Sequence, residues 1–154
     1  MTGYGCVEGD AVRPGLVEAG VVRLVRGETP PVADRLFELE RDLVDLLERV
    51  KPGAVVVESV FSNVRFPASA LTMAHARGVV LLCARRAGVE LVEISPASVK
   101  RALTGSGRAS KEQMQAAIQG VVGLPEPPSP ADVADALAIA SAGSVRLGRS
   151  TLGS

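Results

Sequence analysis

The amino-acid sequence predicts an α/β fold with a mixed sheet, and three observations support this. Two short strand-like segments at the start are separated by Gly9-Asp10, which is typical of an antiparallel hairpin. Apolar residues then recur at helical spacing over several long segments. Short apolar runs lie between those segments, and strands separated by helices imply parallel crossovers. Residues 1–143 are expected to form one domain, followed by a flexible tail over 144–154.

The first half of the chain is predicted to hold a hairpin, a helix and a buried strand. The hairpin strands cover residues 2–8 and 16–24. A helix follows and ends at Pro52-Gly53, because apolar residues recur at helical spacing before it: Leu36, Leu39, Leu43, Leu46, Leu47 and Val50. The run "AVVVESVF" (54–61) is apolar almost throughout, as expected for a strand buried on both faces.

The second half is predicted to be mainly helical. A helix runs from about 67 to 87, and a strand covers 89–94. A short helix carrying Lys100 and a glycine-containing loop come next. Ser110 and Gln113 have the spacing of a capping box, so another helix starts there. The last helix follows "LPEPPSP", and the glycine- and serine-rich tail beyond it is expected to fray.

Composition excludes several classes of protein. The chain has 154 residues, 47% of them hydrophobic, which is enough for one large core. It contains no apolar run of about 18 residues, so no membrane span is predicted. The two cysteines, Cys6 and Cys83, lie far apart, and His75 is the single histidine. A reduced cytosolic protein without a zinc site is therefore expected.

Charge is balanced overall and uneven locally. The chain has 17 basic and 17 acidic residues, so it has no general attraction to nucleic acid. The segment 98–111 nevertheless holds no acid and four basic residues, Lys100, Arg101, Arg108 and Lys111. Its "GSGRASK" is not a Walker A loop, because Ser110 rather than glycine precedes the lysine and a helix leads into it. Either a phosphate-gripping loop or a solvated loop fits this pattern.

Three carboxylates are candidates for a metal site. Asp132 and Asp135 stand three apart at the start of the last helix, so their like charges share one face. Asp132 can also be read as a capping-box acid after an N-cap at Ser129, with Pro130 in the first helical position. Glu58 ends the most apolar strand, where it either reaches water or needs a partner. Together the three acids would suit Mg²⁺, and two such ions can hydrolyse a phosphodiester.

Four segments resemble the RuvC family of Holliday junction resolvases: "VVVESVF", "ALTMAHARGVVLLCA", "ISPASVKRALTGSGRASKEQM" and "PADVADALAIA". The resemblance covers essentially the whole chain. It implies an RNase H-like fold with a five-stranded mixed sheet flanked by helices. It also implies a homodimeric endonuclease that nicks four-way DNA junctions in recombination and repair. Two Mg²⁺ ions per active site, replaceable by Mn²⁺, a branch-migration complex as partner and a bacterial, nucleoid-associated cytoplasmic location are expected.

The resemblance also assigns residues. It makes three acids catalytic metal ligands: Glu58, Asp132 and Asp135. Lys100 and Lys111 match DNA-contacting lysines, and Arg101 and Arg108 lie beside them in the basic segment. Phe61 matches an aromatic residue that meets bases near the crossover, although core packing is an alternative for it. The dimer would form through the helix over 67–87, which carries a stripe of small residues at Ala70, Ala74 and Gly78.

One family feature has no counterpart in the sequence. Family members open with a strand that ends in "G-I-D-P-G" and supplies a fourth carboxylate, whereas "TGYGCVE" matches their second strand. The absent strand would lie centrally, so two strand edges are expected to be unpaired. A shortened chain or a start codon assigned too late is the expected cause. A non-catalytic junction-binding protein is therefore the alternative function. An RNase H-like ATPase or kinase fragment is disfavoured, because phosphate loops are lacking.

Overall fold

A computed structural model describes residues 2–9, 14–22, 30–59 and 67–151. In these ranges the elements follow the predicted order of a hairpin, a helix, a strand, a helix, a strand and three helices. The strands are β1 (Thr2–Glu8), β2 (Gly15–Val22), β3 (Ala54–Glu58) and β4 (Glu90–Ile94). The helices are α1 (Val32–Val50), α2 (Pro67–Arg86), α3 (Pro96–Thr104), α4 (Lys111–Val122) and α5 (Ala131–Thr151). None of the described helices is long and apolar enough to cross a membrane.

The strands β1 and β2 form an antiparallel pair whose register is set by Tyr4. A side chain at Gly15 would lie 3.5 Å from the carbonyl oxygen of Glu8, and one at Gly20 would lie 3.0 Å from the Tyr4 ring. These two pairings place the start of one strand opposite the end of the other. The Tyr4 hydroxyl donates a 2.6 Å hydrogen bond to Glu18. The ring therefore covers Gly20 while the hydroxyl fixes the neighbouring strand.

The sheet differs from the expected five-stranded one. Within the described ranges, β1 pairs only with β2, and β3 pairs only with β4. The predicted unpaired edges of β1 and β3 are thus observed. The prediction that β3 is buried on both faces is wrong, because Ala54–Val57 are half-buried and Glu58 is exposed. A strand in a two-stranded sheet has a single hydrogen-bonded neighbour, so one edge of β3 lacks cover from another strand.

The chain divides into two compact units, and the first contains the main core. It covers Met1–Val21, Val56–Ser59 and Val92–Ser154. Within it, α5 packs against β1, α3 and α4. The buried side chains of this core are Ile94, Val99, Ile118, Val133, Leu137, Ala138 and Ala142. The helix α5 is thus the central element of the first unit.

Glycines bring α5 unusually close to the strands. A side chain at Gly5 in β1 would lie 2.8 Å from the Leu137 Cδ2 atom, and one at Gly3 would collide with the backbone of Asp132. On the helix itself, a side chain at Gly143 would collide with Val56 of β3. Such contacts are closer than real Cβ atoms tolerate, so only glycine permits this packing. The acidic start of α5 is therefore held against β1.

The second unit covers Val22–Val55 and Val60–Leu91 and is built on the packing of α1 against α2. Leu39, Cys83 and Ala84 are among its buried residues. The Arg86 guanidinium pairs with the Glu40 carboxylate at 2.8 Å. Burial raises the pKa of the Cys83 thiol, the nearby Glu40 carboxylate raises it further, and Arg86 lowers it. Cys83 is therefore a core residue whose environment favours the thiol over the thiolate.

The end of the chain departs from the sequence-based prediction. Residues 144–151 were expected to belong to a flexible tail, yet α5 continues to Thr151. The Arg146 guanidinium donates a 2.7 Å hydrogen bond to the Glu93 carbonyl oxygen, and Ser141, Ala142 and Gly143 are buried. These contacts extend the helix through a segment whose composition suggested fraying. Residues 152–154 lie outside the described part of the chain.

Candidate active site

A cleft of about 330 Å³ opens in the first unit, between the end of β3 and the helices α3, α4 and α5. Its charged and polar lining consists of Glu58, Lys100, Lys111, Gln115 and Asp135. The remaining wall is apolar and includes Val99, Met114, Ile118, Ala134, Ala138 and Ile139. The cleft thus combines two acids, two lysines and one neutral amide with an apolar surface.

Glu58 is brought to this cleft by the end of β3. The Ser59 N–H donates a 2.8 Å hydrogen bond to the Ile94 carbonyl oxygen, which extends the pairing with β4 just past Glu58. Partial burial raises the pKa of the Glu58 carboxyl, the Asp135 carboxylate raises it further, and the Lys100 ammonium lowers it. The pKa of Glu58 is therefore affected by an acid on α5, Asp135, and by a base on α3, Lys100.

The helix α3 presents Lys100 beside Glu58. Its N-terminus is capped by Ser95, whose hydroxyl oxygen accepts a 3.2 Å hydrogen bond from the Ser98 N–H, and Pro96 lies in the first turn. Val99 is buried in the core, which fixes the rotation of the helix. Lys100 is half-buried, whereas the adjacent Arg101 is exposed and does not line the cleft.

The turn between α3 and α4 is ordered by hydroxyl groups. The Thr104 hydroxyl donates to the Lys100 carbonyl oxygen at 2.8 Å and accepts from the Ser106 N–H at 3.1 Å. The Ser106 hydroxyl oxygen accepts from the Arg108 N–H at 3.3 Å. Arg108 is exposed on this turn and does not line the cleft. The four basic residues are thus divided between the cleft and its outer surface.

The predicted capping box at the start of α4 is confirmed. The Ser110 hydroxyl oxygen accepts from the Gln113 N–H at 3.2 Å, and the Gln113 side-chain oxygen accepts from the Ser110 N–H at 2.8 Å. Lys111 is the first residue of the helix and Gln115 follows one turn later, so both side chains share the face that lines the cleft.

Asp132 is placed differently from the other two acids. It lies half-buried in the first turn of α5 and does not line the cleft that holds Glu58 and Asp135. No group of three or more His, Cys, Asp or Glu in the described ranges is arranged to hold a metal ion. The Asp132 backbone lies in close contact with Gly3 of β1.

The capping interpretation of Asp132 is not supported. The helix begins at Ala131, so Pro130 precedes it rather than occupying its first position. In the ranges that the structure describes, neither the Ser129 hydroxyl nor the Asp132 carboxylate makes a side-chain hydrogen bond. A half-buried carboxylate without such a partner remains available to bind a cation.

The donor set of the cleft fits a hard divalent cation. Mg²⁺ is bound in proteins through one or two carboxylates, with phosphate oxygens and water completing its shell. Glu58 and Asp135 supply two carboxylates close enough to raise the pKa of Glu58, and a cation would relieve that repulsion. The lysines on the adjoining helices, Lys100 and Lys111, can bind phosphate oxygens. This arrangement suits a bound phosphodiester.

One predicted residue, Phe61, cannot be compared with the structure, and two features of the cleft, Gln115 and the apolar wall, were not predicted from the sequence. Phe61 lies outside the described residues, so its predicted role stays a prediction. Gln115 was not predicted as a site residue, although it lies four residues after Lys111 and therefore on the same helical face. The apolar wall contributed by Ile139 and its neighbours depends on how three helices meet, which no local pattern specifies.

Comparison with known proteins identifies the family. The family model described as crossover junction endodeoxyribonuclease RuvC matches residues 1–142. A protein of that name from Pelotomaculum thermopropionicum is 44% identical over 140 residues, which cover 91% of this chain and 84% of the relative. A Thermus thermophilus RuvC structure has a TM-score of 0.85 at 35% identity, covering 97% of this chain and 90% of that chain.

A second solved structure is T. thermophilus RuvC in complex with Holliday junction substrate. It has a TM-score of 0.88 at 34% identity, covering 97% of this chain and 89% of that chain. The RNase H-like α/β fold implied by the sequence resemblance is thereby confirmed. Family model, relative and solved structures agree over nearly the whole chain. The chain belongs to the RuvC family of crossover junction endodeoxyribonucleases.

Proposed function

We propose that this chain is a structure-selective endonuclease that resolves four-way DNA junctions by hydrolysing phosphodiester bonds in recombination and repair. The observation that carries the proposal is the cleft that pairs Glu58 and Asp135 with Lys100 and Lys111. Acids beside lysines suit the binding of a cation and a phosphate together. Nothing observed favours the alternative of a non-catalytic junction-binding protein.

Glu58 and Asp135 would hold Mg²⁺, with Asp132 as a further ligand once DNA is bound, and Mn²⁺ as a substitute. Held by these carboxylates, the cations would supply the positive charge that favours ionisation of a bound water and offsets charge on the leaving oxygen. Lys100 would bind a phosphate oxygen next to the acids, because it already interacts with Glu58. Lys111 would do so from α4, and the phosphodiester would then lie between the two helices, whose lysines both line the cleft.

The rest of the DNA path is proposed to follow the outer surface of the same turn. Arg101 and Arg108 are exposed there and would contact phosphates beyond the cleft. Phe61 would stack on an unpaired base near the crossover. Residues 1–143 would form the nuclease domain, and a branch-migration complex and a nucleoid-associated cytoplasmic location are proposed from family membership.

Substrate structure tests the proposed function. The chain should cut a labelled four-way junction in Mg²⁺ and leave a linear duplex of the same sequence intact. Denaturing gels of both substrates, run with and without Mg²⁺, measure this directly. Equal cutting of junction and duplex would contradict structure selectivity, and binding without cutting would leave the non-catalytic alternative standing.

Replacing Lys100 or Lys111 by alanine is expected to weaken junction binding and to reduce its dependence on salt. Each lysine that contacts a phosphate contributes roughly 0.9 to the slope of log K against log salt concentration. Fluorescence anisotropy across a salt series gives that slope. Arg41→Ala removes an equal charge from an exposed site on α1 and serves as the matched control. The assignment of the two lysines fails if Lys100→Ala and Lys111→Ala bind the junction like the parent and the control at every salt concentration.

We also propose that the chain forms a homodimer through α2, as its family membership suggests. Leu71 and Leu82 are 59% and 53% exposed, an unusual state for large apolar side chains. Between them lies Gly78, and outside its own helix no described residue has an atom within 4 Å of the position that a side chain there would take. Ala74 is exposed, and Ala70 is half-buried. A second copy of α2 could therefore approach closely and cover both leucines.

Introducing Leu82→Glu should dissociate the dimer without unfolding the monomer. Burying one leucine contributes about 1.5–3 kcal/mol, so its loss alone weakens association by at least about tenfold. Sedimentation velocity over a concentration series measures the change. Leu16→Glu changes an exposed leucine on β2 and is the control. A Leu82→Glu chain that sediments as the parent does would refute the assignment of α2.

A further inference from the structure

The helix α4 carries three glutamines, and two of them have structural partners. The Gln113 side-chain oxygen accepts from the Ser110 N–H in the capping box, and the Gln119 side-chain amide donates a 3.0 Å hydrogen bond to the Pro125 carbonyl oxygen. Gln115 differs from both. Its side chain makes no hydrogen bond to any residue within the described ranges.

Gln115 is one of the residues that line the cleft with Glu58 and Asp135. It is half-buried and lies one helical turn after Lys111, on the same face of α4. Among the described residues, the Gln115 amide is not one of the buried polar groups that lack a partner, so its N–H and carbonyl groups are open to solvent. The amide can therefore exchange water for a ligand bound beside Glu58 and Asp135.

The chemistry of the cleft favours a base over a phosphate as that partner. Phosphate oxygens only accept hydrogen bonds, and the two lysines already provide donors for them. An amide both donates and accepts, which matches the mixed donors and acceptors on a base edge. The neighbouring wall of Met114, Ile118 and Ile139 is apolar, so it suits the face of a base and would desolvate a phosphate.

We propose that Gln115 contacts the edge of a base next to the scissile phosphodiester and thereby contributes to the sequence preference of cleavage. The inference rests on the proposed function, since it takes DNA as the ligand of the cleft. Gln115 is a specificity-determining residue in this account. It needs no charge for that role, which separates its effect from those of Lys100 and Lys111.

A panel of four-way junctions tests the proposal. The junctions share all arms and differ only in the base pairs that flank the cleaved bond. Cleavage rates in Mg²⁺ and binding by fluorescence anisotropy without divalent cations are measured for the parent and for Gln115→Ala. For the parent, the ratio of the cleavage rate on the best junction to that on the worst junction measures sequence preference. In Gln115→Ala this ratio should be smaller by about tenfold, the scale of one bidentate base contact. Its salt slope should equal that of the parent, because no charge is removed.

Gln119→Ala is the matched control, since it removes an amide from the same helix outside the cleft and should keep the parent's ratio. The proposal is overturned if Gln115→Ala keeps the parent's ratio of best to worst cleavage rate, or if it lowers the cleavage rates on all junctions by the same factor. It is also overturned if the parent cleaves all junctions at the same rate. The binding measurements distinguish failure of the proposed nuclease function from failure of the proposed base contact of Gln115. If the parent binds junctions without cutting them, the proposed function fails, and the ratio of best to worst binding still decides the role of Gln115.

Discussion

Replacing Glu58 by glutamine, or Asp135 by asparagine, is expected to lower the rate of junction cleavage by about 1,000-fold or more. Each change keeps the shape of the side chain and removes the charge that would hold a divalent cation. Both residues line one cleft, and Asp135 raises the pKa of Glu58, so they act on the same ligand. Single-turnover cleavage of a labelled four-way junction measures the loss, and junction binding should be retained.

Asp132→Asn is expected to produce a loss of similar size, although Asp132 does not line the cleft in the free chain. Residues that act as a unit are non-additive, so a triple amide variant should be little slower than any single one. Full activity of Asp132→Asn would restrict the metal site to Glu58 and Asp135. If the loss of cleavage rate in the triple variant equals the product of the three single losses, the three acids act independently.

Stability provides the control for these variants. A raised pKa means that the folded state binds the Glu58 proton more tightly than the unfolded state does. The stabilisation from that proton is present at low pH and is lost as pH rises through the folded-state pKa. Glutamine resembles the protonated acid, so at neutral pH without Mg²⁺ the Glu58→Gln chain should unfold at the same temperature or roughly 1–2 °C higher. A much less stable variant would mean that lost folding explains lost cleavage.

The second large effect is expected on stability, from Gly3→Ala or Gly5→Ala. A methyl group at Gly5 would lie 2.8 Å from the Leu137 side chain, and one at Gly3 would collide with the Asp132 backbone. Forcing atoms into a packed interior costs about 1–3 kcal/mol, which lowers the melting temperature by roughly 2–12 °C. Urea and thermal unfolding measure the change, and cleavage should fall as well because α5 carries Asp135.

Gly120→Ala is the matched control for these two variants. Gly120 lies within α4, and in the described part of the chain no atom outside the adjoining helix backbone lies within 4 Å of the position that a side chain there would take. Alanine is the better helix former there by roughly 0.8–1.0 kcal/mol, so this variant should be more stable than the parent. If Gly3→Ala and Gly5→Ala behave like Gly120→Ala, then α5 does not pack against β1 as closely as described.

The features predicted correctly are those determined by neighbouring residues or by the fold class. Ser110 and Gln113 are three residues apart and satisfy each other's hydrogen bonds, so the start of α4 could be read from spacing alone. The shared cleft of Glu58 and Asp135 joins distant segments, and it was expected from the fold class, because one residue ends a strand and the other lies near the start of a helix. Folds of this class gather such ends on one side of the sheet.

The features missed depend on contacts between distant segments. Asp132 does not line the cleft, and its backbone contacts Gly3, which is far away in sequence. Residues 144–151 have the composition of a loose tail, yet the bond from Arg146 to the Glu93 carbonyl oxygen helps to keep them helical. The strand β3 is only half-buried, and among the described strands it pairs with β4 alone. Composition and periodicity carry no information about such contacts.

The most direct test of the central claim is single-turnover cleavage of a four-way junction by the parent and by the Glu58→Gln, Asp135→Asn double variant, at equal binding saturation in Mg²⁺. Saturation removes differences in affinity, so the measured rate reports the cleft alone. The account predicts paired nicks by the parent and a rate lower by about 1,000-fold or more for the double variant. Cleavage by the double variant at the parent's rate would contradict the assignment of this cleft as the active site.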